Sequence, residues 1–258
     1  MKLYHMSGAG NDFLVVDGRG LSLDYSPLAA RLCPQYGADG FLVLENSEIA
    51  DFRLLFYNSN GARGEMCGNG ARCICRFAYD MGIAGKAMRL QTDAGIVYGW
   101  HMGENQYRVK LNNPSVLDLN RVSDCAYVEL GDPGVPHAVV ELPGLSWEEK
   151  AELLPKAQAL RYHNAFPKGA NVNFFAPVDE NAVKILTYER YVEDYTLACG
   201  TGSASVAAVL WKQGRLVGNS LTVKNPGGNL EITMEEQDGT ISALYLTGPA
   251  DILDIYDV

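Results

Sequence analysis

The sequence predicts an α+β chain built as two similar lobes, and three observations carry that prediction. First, a Cys-Gly-polar-Gly tetrapeptide occurs twice, as Cys67-Gly68-Asn69-Gly70 and as Cys199-Gly200-Thr201-Gly202. Second, each copy opens a helical stretch that stops at a glycine: ARCICRFAYDMG ends at Gly82 and SASVAAVLWKQG ends at Gly214. Third, the surroundings match at equal spacing. Gly95 lies 28 residues after Cys67 and Gly227 lies 28 residues after Cys199, each in a turn between short strand-like segments. Upstream, LLFYN leads towards the first cysteine and KILTYER towards the second; downstream, YRVKLNNPS and ALYLTGPA supply further strands. One such tetrapeptide arises by chance. Two, in a shared strand–motif–helix–strand–turn–strand context, mark an internal repeat.

Each lobe is therefore expected to be mainly antiparallel strands around one or more helices. The first lobe is read as residues 1–115, ending near Pro114 to Val116 where the strand pattern of the first half stops, and the second as 116–246. The terminal strand 247–258 is expected to complete the first lobe. The clearest other helix is SWEEKAELLPKAQAL, Ser146 to Leu160: Ser146 is a good N-cap and Glu149 completes a capping box. Its counterpart in the first half is expected around Ser26 to Cys33.

Composition narrows the function. The 258 residues suffice for two compact lobes or one large domain, and 47% apolar with 20% charged residues fits a globular chain with a real core. Formal charge is 21 − 31 = −10, which repels phosphate backbones and argues against a nucleic-acid partner. No apolar run reaches the about 18 residues of a membrane span, and the N-terminal MKLYHMSGAGNDF lacks the features of a secretory signal. The expectation is a cytoplasmic protein without membrane partners, whose six cysteines (Cys33, Cys67, Cys73, Cys75, Cys125 and Cys199) are reduced. The C-x₅-C-x-C spacing matches no common zinc site and only four histidines are present, so no metal is expected.

Cys67 and Cys199 are not ordinary cysteines. Each precedes a helix of roughly three turns, whose N-terminus offers unpaired N–H donors and about half a positive charge. The intervening glycines let a ligand approach the backbone, an anion can dock on the N–H groups, and the field favours thiolate over thiol. Thr201 is expected to cap the second helix; Arg76 and Lys212 are expected near the negative helix ends. Two such helices facing one carboxylate would place a thiol on each side of the attached carbon. One thiolate can remove its proton while the other thiol returns a proton from the opposite face, with the helix donors stabilising developing charge. Cys33, Cys73, Cys75 and Cys125 read as buried structural thiols.

The residues resemble the diaminopimelate epimerase family over essentially the whole chain. The matching stretches are MSGAGNDF, YGADGFLVL, FYNSNG, EMCGNGARC, PHAVV, NVNF, YER and TLACGTG. The resemblance implies two pseudo-symmetric lobes, each a curved antiparallel sheet around a central helix, with the active site in the cleft between them. It implies a cofactor-independent isomerase without pyridoxal phosphate, acting in lysine biosynthesis on LL-diaminopimelate to give the meso form. It allows a homodimer. By motif, Cys67 and Cys199 resemble the acid/base pair; Gly68, Asn69, Gly200 and Thr201 the donors to the reacting carboxylate; and Glu189 the partner of the ammonium group. Asn11 and Asn58 fall on substrate-contacting asparagines, Asn171 and Arg190 on holders of the distal carboxylate, and His137 on a site histidine.

Three departures bear on the substrate. The family commonly reads G-N-P-H or G-S-P-H, but this chain reads GDPGVPH, so Val135 stands where a polar side chain helps to bind the distal end. Second, the family's glycine after Y-E-R is Tyr191, and its glutamate before T-L-A-C-G-T-G is Tyr195; third, the loop YVEDY carries two acids and two aromatics. Bulky tyrosines there shorten a pocket, stack on a ring or pack elsewhere. The competing readings are a racemase of another amino acid such as histidine, a dithiol oxidoreductase cycling Cys67 and Cys199, and a non-catalytic amino-acid-binding protein.

Overall fold

The computed structural model describes residues 1–258. The chain forms two compact units, Met1–Lys110 with Thr247–Val258, and Leu111–Leu246. The first unit begins with β1 (Lys2–Ser7), β2 (Asp12–Asp17), α1 (Tyr25–Tyr36), β3 (Gly40–Glu45), β4 (Phe52–Asn58) and β5 (Arg63–Gly64). It continues with α2 (Gly68–Asp80), β6 (Ala87–Thr92), β7 (Gly95–Gly103) and β8 (Gln106–Leu111).

Each helix of this unit follows from its sequence. Asp24 caps α1 by accepting from the Ser26 amide at 3.1 Å, and Gly37, at φ 68°, ends it in the left-handed conformation. Tyr25, Ala29, Leu32 and Cys33 recur at helical spacing and form its buried stripe, packed against Leu14, Val16, Phe41 and Val43. Leu42 of β3 points the other way, towards α2. A Cβ on Gly70 would lie 3.1 Å from Leu42 Cδ2, so glycine there lets the cysteine-bearing helix lie close against the sheet. Strand β3 is thus covered on both faces, which explains its nearly unbroken apolar run, GFLVLE.

The second unit repeats this order. It contains β9 (Pro114–Val122), β10 (Cys125–Gly131), β11 (Gly134–Glu141), α3 (Lys150–Arg161), β12 (Asn171–Asp179) and β13 (Ala182–Glu189). It continues with β14 (Asp194–Thr196), α4 (Gly200–Lys212), β15 (Ser220–Asn225), β16 (Gly228–Gln237) and β17 (Thr240–Pro249), whose last residues enter the first unit. The pairings agree step for step. β1–β2 and β10–β11 are antiparallel, β2–β3 and β11–β12 parallel, and β3–β4 and β12–β13 antiparallel. β4–β6 and β13–β15 are parallel, and β6–β7 and β15–β16 antiparallel. β9 flanks β10 in the second unit; the equivalent place beside β1 is taken by the final strand, β18 (Asp251–Asp257). The expected α+β architecture of two similar lobes is therefore present.

The sheets are mixed rather than wholly antiparallel. In each unit the two helices act as crossovers that return the chain to the end from which it left, and such a return makes the joined strands parallel. The expected capping box is in place: Ser146 accepts from the Glu148 amide while the Glu149 carboxylate accepts from the Ser146 amide, opening a short 3₁₀ turn that runs into α3. The equal spacing fails by one residue. Gly95 (φ 106°) opens β7 opposite Thr92, and its match is Gly228 (φ 144°), opposite Asn225, rather than Gly227. Arg76 does not serve the end of α2. It pairs with Asp80 at 3.2 Å and donates to the Ala250 carbonyl, tying the helix to the final strand. No helix is long and apolar enough to cross a membrane.

Candidate active site

Both repeated cysteines are N-caps. Cys67 has extended backbone (φ −134°, ψ 124°) and its carbonyl accepts from the Ala71 amide at 2.7 Å, so α2 begins at the next residue. Cys199 is likewise extended (φ −121°, ψ 110°) before α4. The glycine-containing first turns therefore present their leading amides beside the sulfur atoms. The thiols differ in their contacts. Cys199 Sγ accepts from the Gly202 amide at 3.4 Å, whereas Cys67 makes no side-chain cap bond. The expected cap role of Thr201 is thus taken by Cys199 itself; Thr201 Oγ1 lies 3.6 Å from the sulfur.

In the first unit Asn11, Asn69 and Cys67 come together. Asn11 Oδ1 accepts from Asn69 Nδ2 at 3.3 Å and from the Cys67 thiol at 3.8 Å. Asn11 Nδ2 donates to Asp39 Oδ2 at 2.6 Å, and the same carboxylate oxygen accepts from the Asp12 amide at 2.9 Å. Asp39 therefore fixes which end of the Asn11 amide faces the thiol. Asn58 closes β4 opposite Gly40, and its side chain donates to the Ala62 carbonyl at 3.2 Å, turned to its own loop.

In the second unit Glu189, at the end of β13, accepts from Thr196 Oγ1 at 2.6 Å and is also hydrogen-bonded by Cys199. Burial pushes the Glu189 carboxyl above the usual carboxylate range, and the two hydrogen bonds partly oppose that. His137 is fully buried on β11 beside Asn171 of β12. Burial, helped by the Arg190 charge and opposed by the Asn173 hydrogen bond, brings its pKa down to about 3, so the ring is neutral at physiological pH. Asn173 Nδ2 lies 3.1 Å from His137 Nδ1 and donates to the Ala138 carbonyl at 3.0 Å; with Nδ1 accepting, Nε2 carries the ring proton. Asn171 Oδ1 accepts from the Arg190 amide at 2.8 Å, and Arg190 Nη1 donates to the Lys168 carbonyl at 2.9 Å.

The three departing residues fall in different places. Val135 is 36% exposed on β11, across from Leu130. Tyr191 is 80% exposed, left-handed at φ 74°, with the Arg190 guanidinium 4.7 Å from its ring centre. Tyr195 instead turns inward, edge-on to Tyr188 at 5.4 Å against the hydrophobic core of its unit, and burial pushes its hydroxyl up to about 12. It is a packing residue. The remaining cysteines are buried free thiols: burial raises Cys33 and Cys73 to about 12, Cys125 to about 11, and Cys75 further.

Asp39, Asn173 and Thr196 were not singled out by the sequence. Asp39 lies inside YGADGFLVL, and Asn173 sits two residues from Asn171, hence on the same face of its strand. That alternation was the available signal. Thr196 gave none.

The diaminopimelate epimerase family profile matches residues 3–116 and 131–253. A diaminopimelate epimerase of Aquifex aeolicus is 35% identical, covering 96% of this chain and 94% of that protein. One of Chlorobaculum tepidum is 36% identical, over 95% and 96%. Among solved structures, a phenazine biosynthesis protein of the PhzF family from Bacillus anthracis superposes with TM-score 0.76 at 15% identity, covering 100% and 98% of the two chains. A hydroxyproline epimerase from Agrobacterium vitis with bound trans-4-OH-L-proline gives 0.71 at 17% identity, over 99% and 91%. The structural likenesses show a shared fold. The family match and the near full-length relatives show more: the chain is an isomerase and belongs to the diaminopimelate epimerase family.

Proposed function

We propose that this isomerase inverts an amino-acid α-carbon with Cys67 and Cys199 as its acid/base pair, and that LL-diaminopimelate is its substrate. The observation that carries the reading is the placement of a thiol at the N-cap of each of two equivalent helices. The substrate's α-carboxylate takes hydrogen bonds from the first-turn amides of Gly68, Asn69, Gly200 and Thr201, where the helix field favours negative charge. The α-ammonium pairs with Glu189. One thiolate takes the α-proton, becoming a thiol, as the bonding pair is left on carbon. The other thiol gives its proton to the opposite face, becoming a thiolate, and charge passing into the carboxylate is held by the amides.

In this reading Arg190 supplies a permanent cation for the distal carboxylate and Asn171, whose oxygen is engaged by the Arg190 amide, adds Nδ2 donors. Buried His137 and Asn173, hydrogen-bonded to each other on β11 and β12, are polar without adding charge. Val135 supports a second reading, a racemase of another amino acid, because an apolar side chain stands where a donor would serve the distal end.

Incubation of the reduced protein in deuterated water, with α-proton exchange followed by NMR, tests both readings. Exchange on LL-diaminopimelate well above that on histidine and other single amino acids supports the first. Preference for another amino acid selects the second, and exchange on none removes the proposed function.

A further inference from the structure

Arg72 is fully buried in the first unit, on α2, five residues after Cys67. Its Nε donates to the Pro249 carbonyl at 3.3 Å, while Nη1 and Nη2 are buried without a hydrogen-bond partner. No carboxylate lies within ion-pair distance of it, in contrast to Arg63 and Arg76 of the same unit. A guanidinium does not lose its proton in proteins, and an unpaired buried charge is costly. Packing alone would be served by an aliphatic side chain. At the equivalent place on α4, five residues after Cys199, the residue is Ala204. The two thiol-bearing helices thus differ by one buried positive charge.

We infer that Arg72 is a positioning residue whose buried charge, acting along α2, stabilises the thiolate of Cys67 and gives the first unit the more easily ionised of the two thiols. The charge has no carboxylate to answer it. Among the groups it feels are the cysteines of its own helix, Cys73, Cys67 and Cys75. Of these, Cys73 and Cys75 are fully buried and held protonated by that burial, whereas Cys67 is only half-buried beside Asn11. Cys199 has no such cation at the equivalent place: it accepts from the Gly202 amide, but the partly buried carboxyl of Glu189 lies within hydrogen-bond reach and opposes its ionisation. Other charged groups near α2 are Asp12 of β2, paired with His5 of β1; Asp39, which holds Asn11; and Asp251 of β18. These acids oppose ionisation of Cys67 and are unchanged in an Arg72 variant, so the variant isolates the guanidinium. In ionising, the Cys67 thiol releases its proton to solvent and no oxidant is involved.

The inference rests on the reading of Cys67 as an acid/base thiol, but its test does not need turnover. Iodoacetamide modification of Cys67 and Cys199 is followed separately by peptide mass spectrometry across pH, in wild-type protein and in Arg72→Met and Arg72→Lys. The wild type should show the lower pH midpoint at Cys67. Arg72→Met should raise that midpoint by about one unit, so that Cys67 reacts about tenfold more slowly below it. Arg72→Lys should restore most of the difference, and the Cys199 midpoint should not move. Coincident Cys67 profiles in wild type and Arg72→Met, or a lower midpoint at Cys199 in wild type, would overturn the inference. Should Arg72→Met unfold, reaction at the buried Cys73 and Cys75 reveals it; the wild-type order and Arg72→Lys, which keeps the charge, then decide. Loss of epimerisation in Cys67→Ser tests the underlying reading separately.

Discussion

The two units share one topology and differ in chemistry at matching places. The register equates Phe13 with His137 and Gly40 with Asn171. Two residues before the first of these pairs stand Asn11 and Val135; closing β4 and β13 stand Asn58 and Glu189. The first unit sets neutral amides, Asn11 and Asn69, at its thiol, whereas the second sets the carboxyl of Glu189 there and carries a neutral, buried histidine on β11. A repeated scaffold accounts for two thiols on two equivalent helix ends. The differences suit the proposed substrate, whose carboxylate, ammonium and side chain are not interchangeable. Topology supplies the repeated helix ends; the unmatched side chains make the two units chemically distinct.

Breaking the shared part should have the largest effect. Cys67→Ser and Cys199→Ser should each lower the epimerisation rate by about 10²–10⁴-fold, as removal of a general acid/base group does, measured by chiral chromatography of product. Removing an unmatched group should cost less. Glu189→Gln should lower kcat/KM by about 10–100-fold, mostly through KM, as a charged hydrogen-bonding partner is lost.

Two comparisons concern pH. His137 has its folded pKa depressed to about 3 from an unfolded value of 6.5, so between these values the unfolded chain binds the extra proton and folding stability falls as pH falls. His137→Phe, the residue its counterpart carries, should flatten that acid limb in denaturant titrations at pH 4–7. Glu189 has the opposite sign: its raised folded pKa costs stability as pH rises above the unfolded value, so Glu189→Gln should gain stability relative to wild type towards neutral pH.

Smaller effects belong to the distal end. Val135→Asn should raise the preference for LL-diaminopimelate over histidine by up to about tenfold, one restored hydrogen bond's worth. Tyr191→Gly should raise unfolding stability by roughly 1 kcal/mol, because glycine adopts φ 74° without the strain an L side chain carries there. A loss of stability instead would show that the stack of Arg190 on Tyr191 outweighs the strain.

The sequence made the repeat legible because C-G-x-G, a helix and a terminating glycine survive as local signals. It also revealed the capping box at Ser146, which depends on residues three apart. What it hid is non-local. The parallel joins depend on where crossover helices return. The offset between Gly95 and Gly228 arises from one extra residue between Gly214 and Ser220, which leaves no trace in a count from the cysteines. The grip of Asp39 on Asn11 spans 28 positions, and the contact of Arg72 with Pro249 spans 177. For Tyr195 the sequence left a pocket role and packing elsewhere open; its inward, edge-on contact with Tyr188 depends on how β14 pairs with β13, which no local pattern signals.

The central claim is that two thiols from equivalent helix ends act on one carbon. The direct measurement is the isotopic content of inverted product at low conversion of LL-diaminopimelate in deuterated water. With two thiols, the proton removed stays on one sulfur while the other, already exchanged with solvent, delivers deuterium, so the inverted product should carry solvent deuterium at the α-carbon. Inverted product that retains the original α-proton would mean one group moving one proton across the carbon, and would contradict the account.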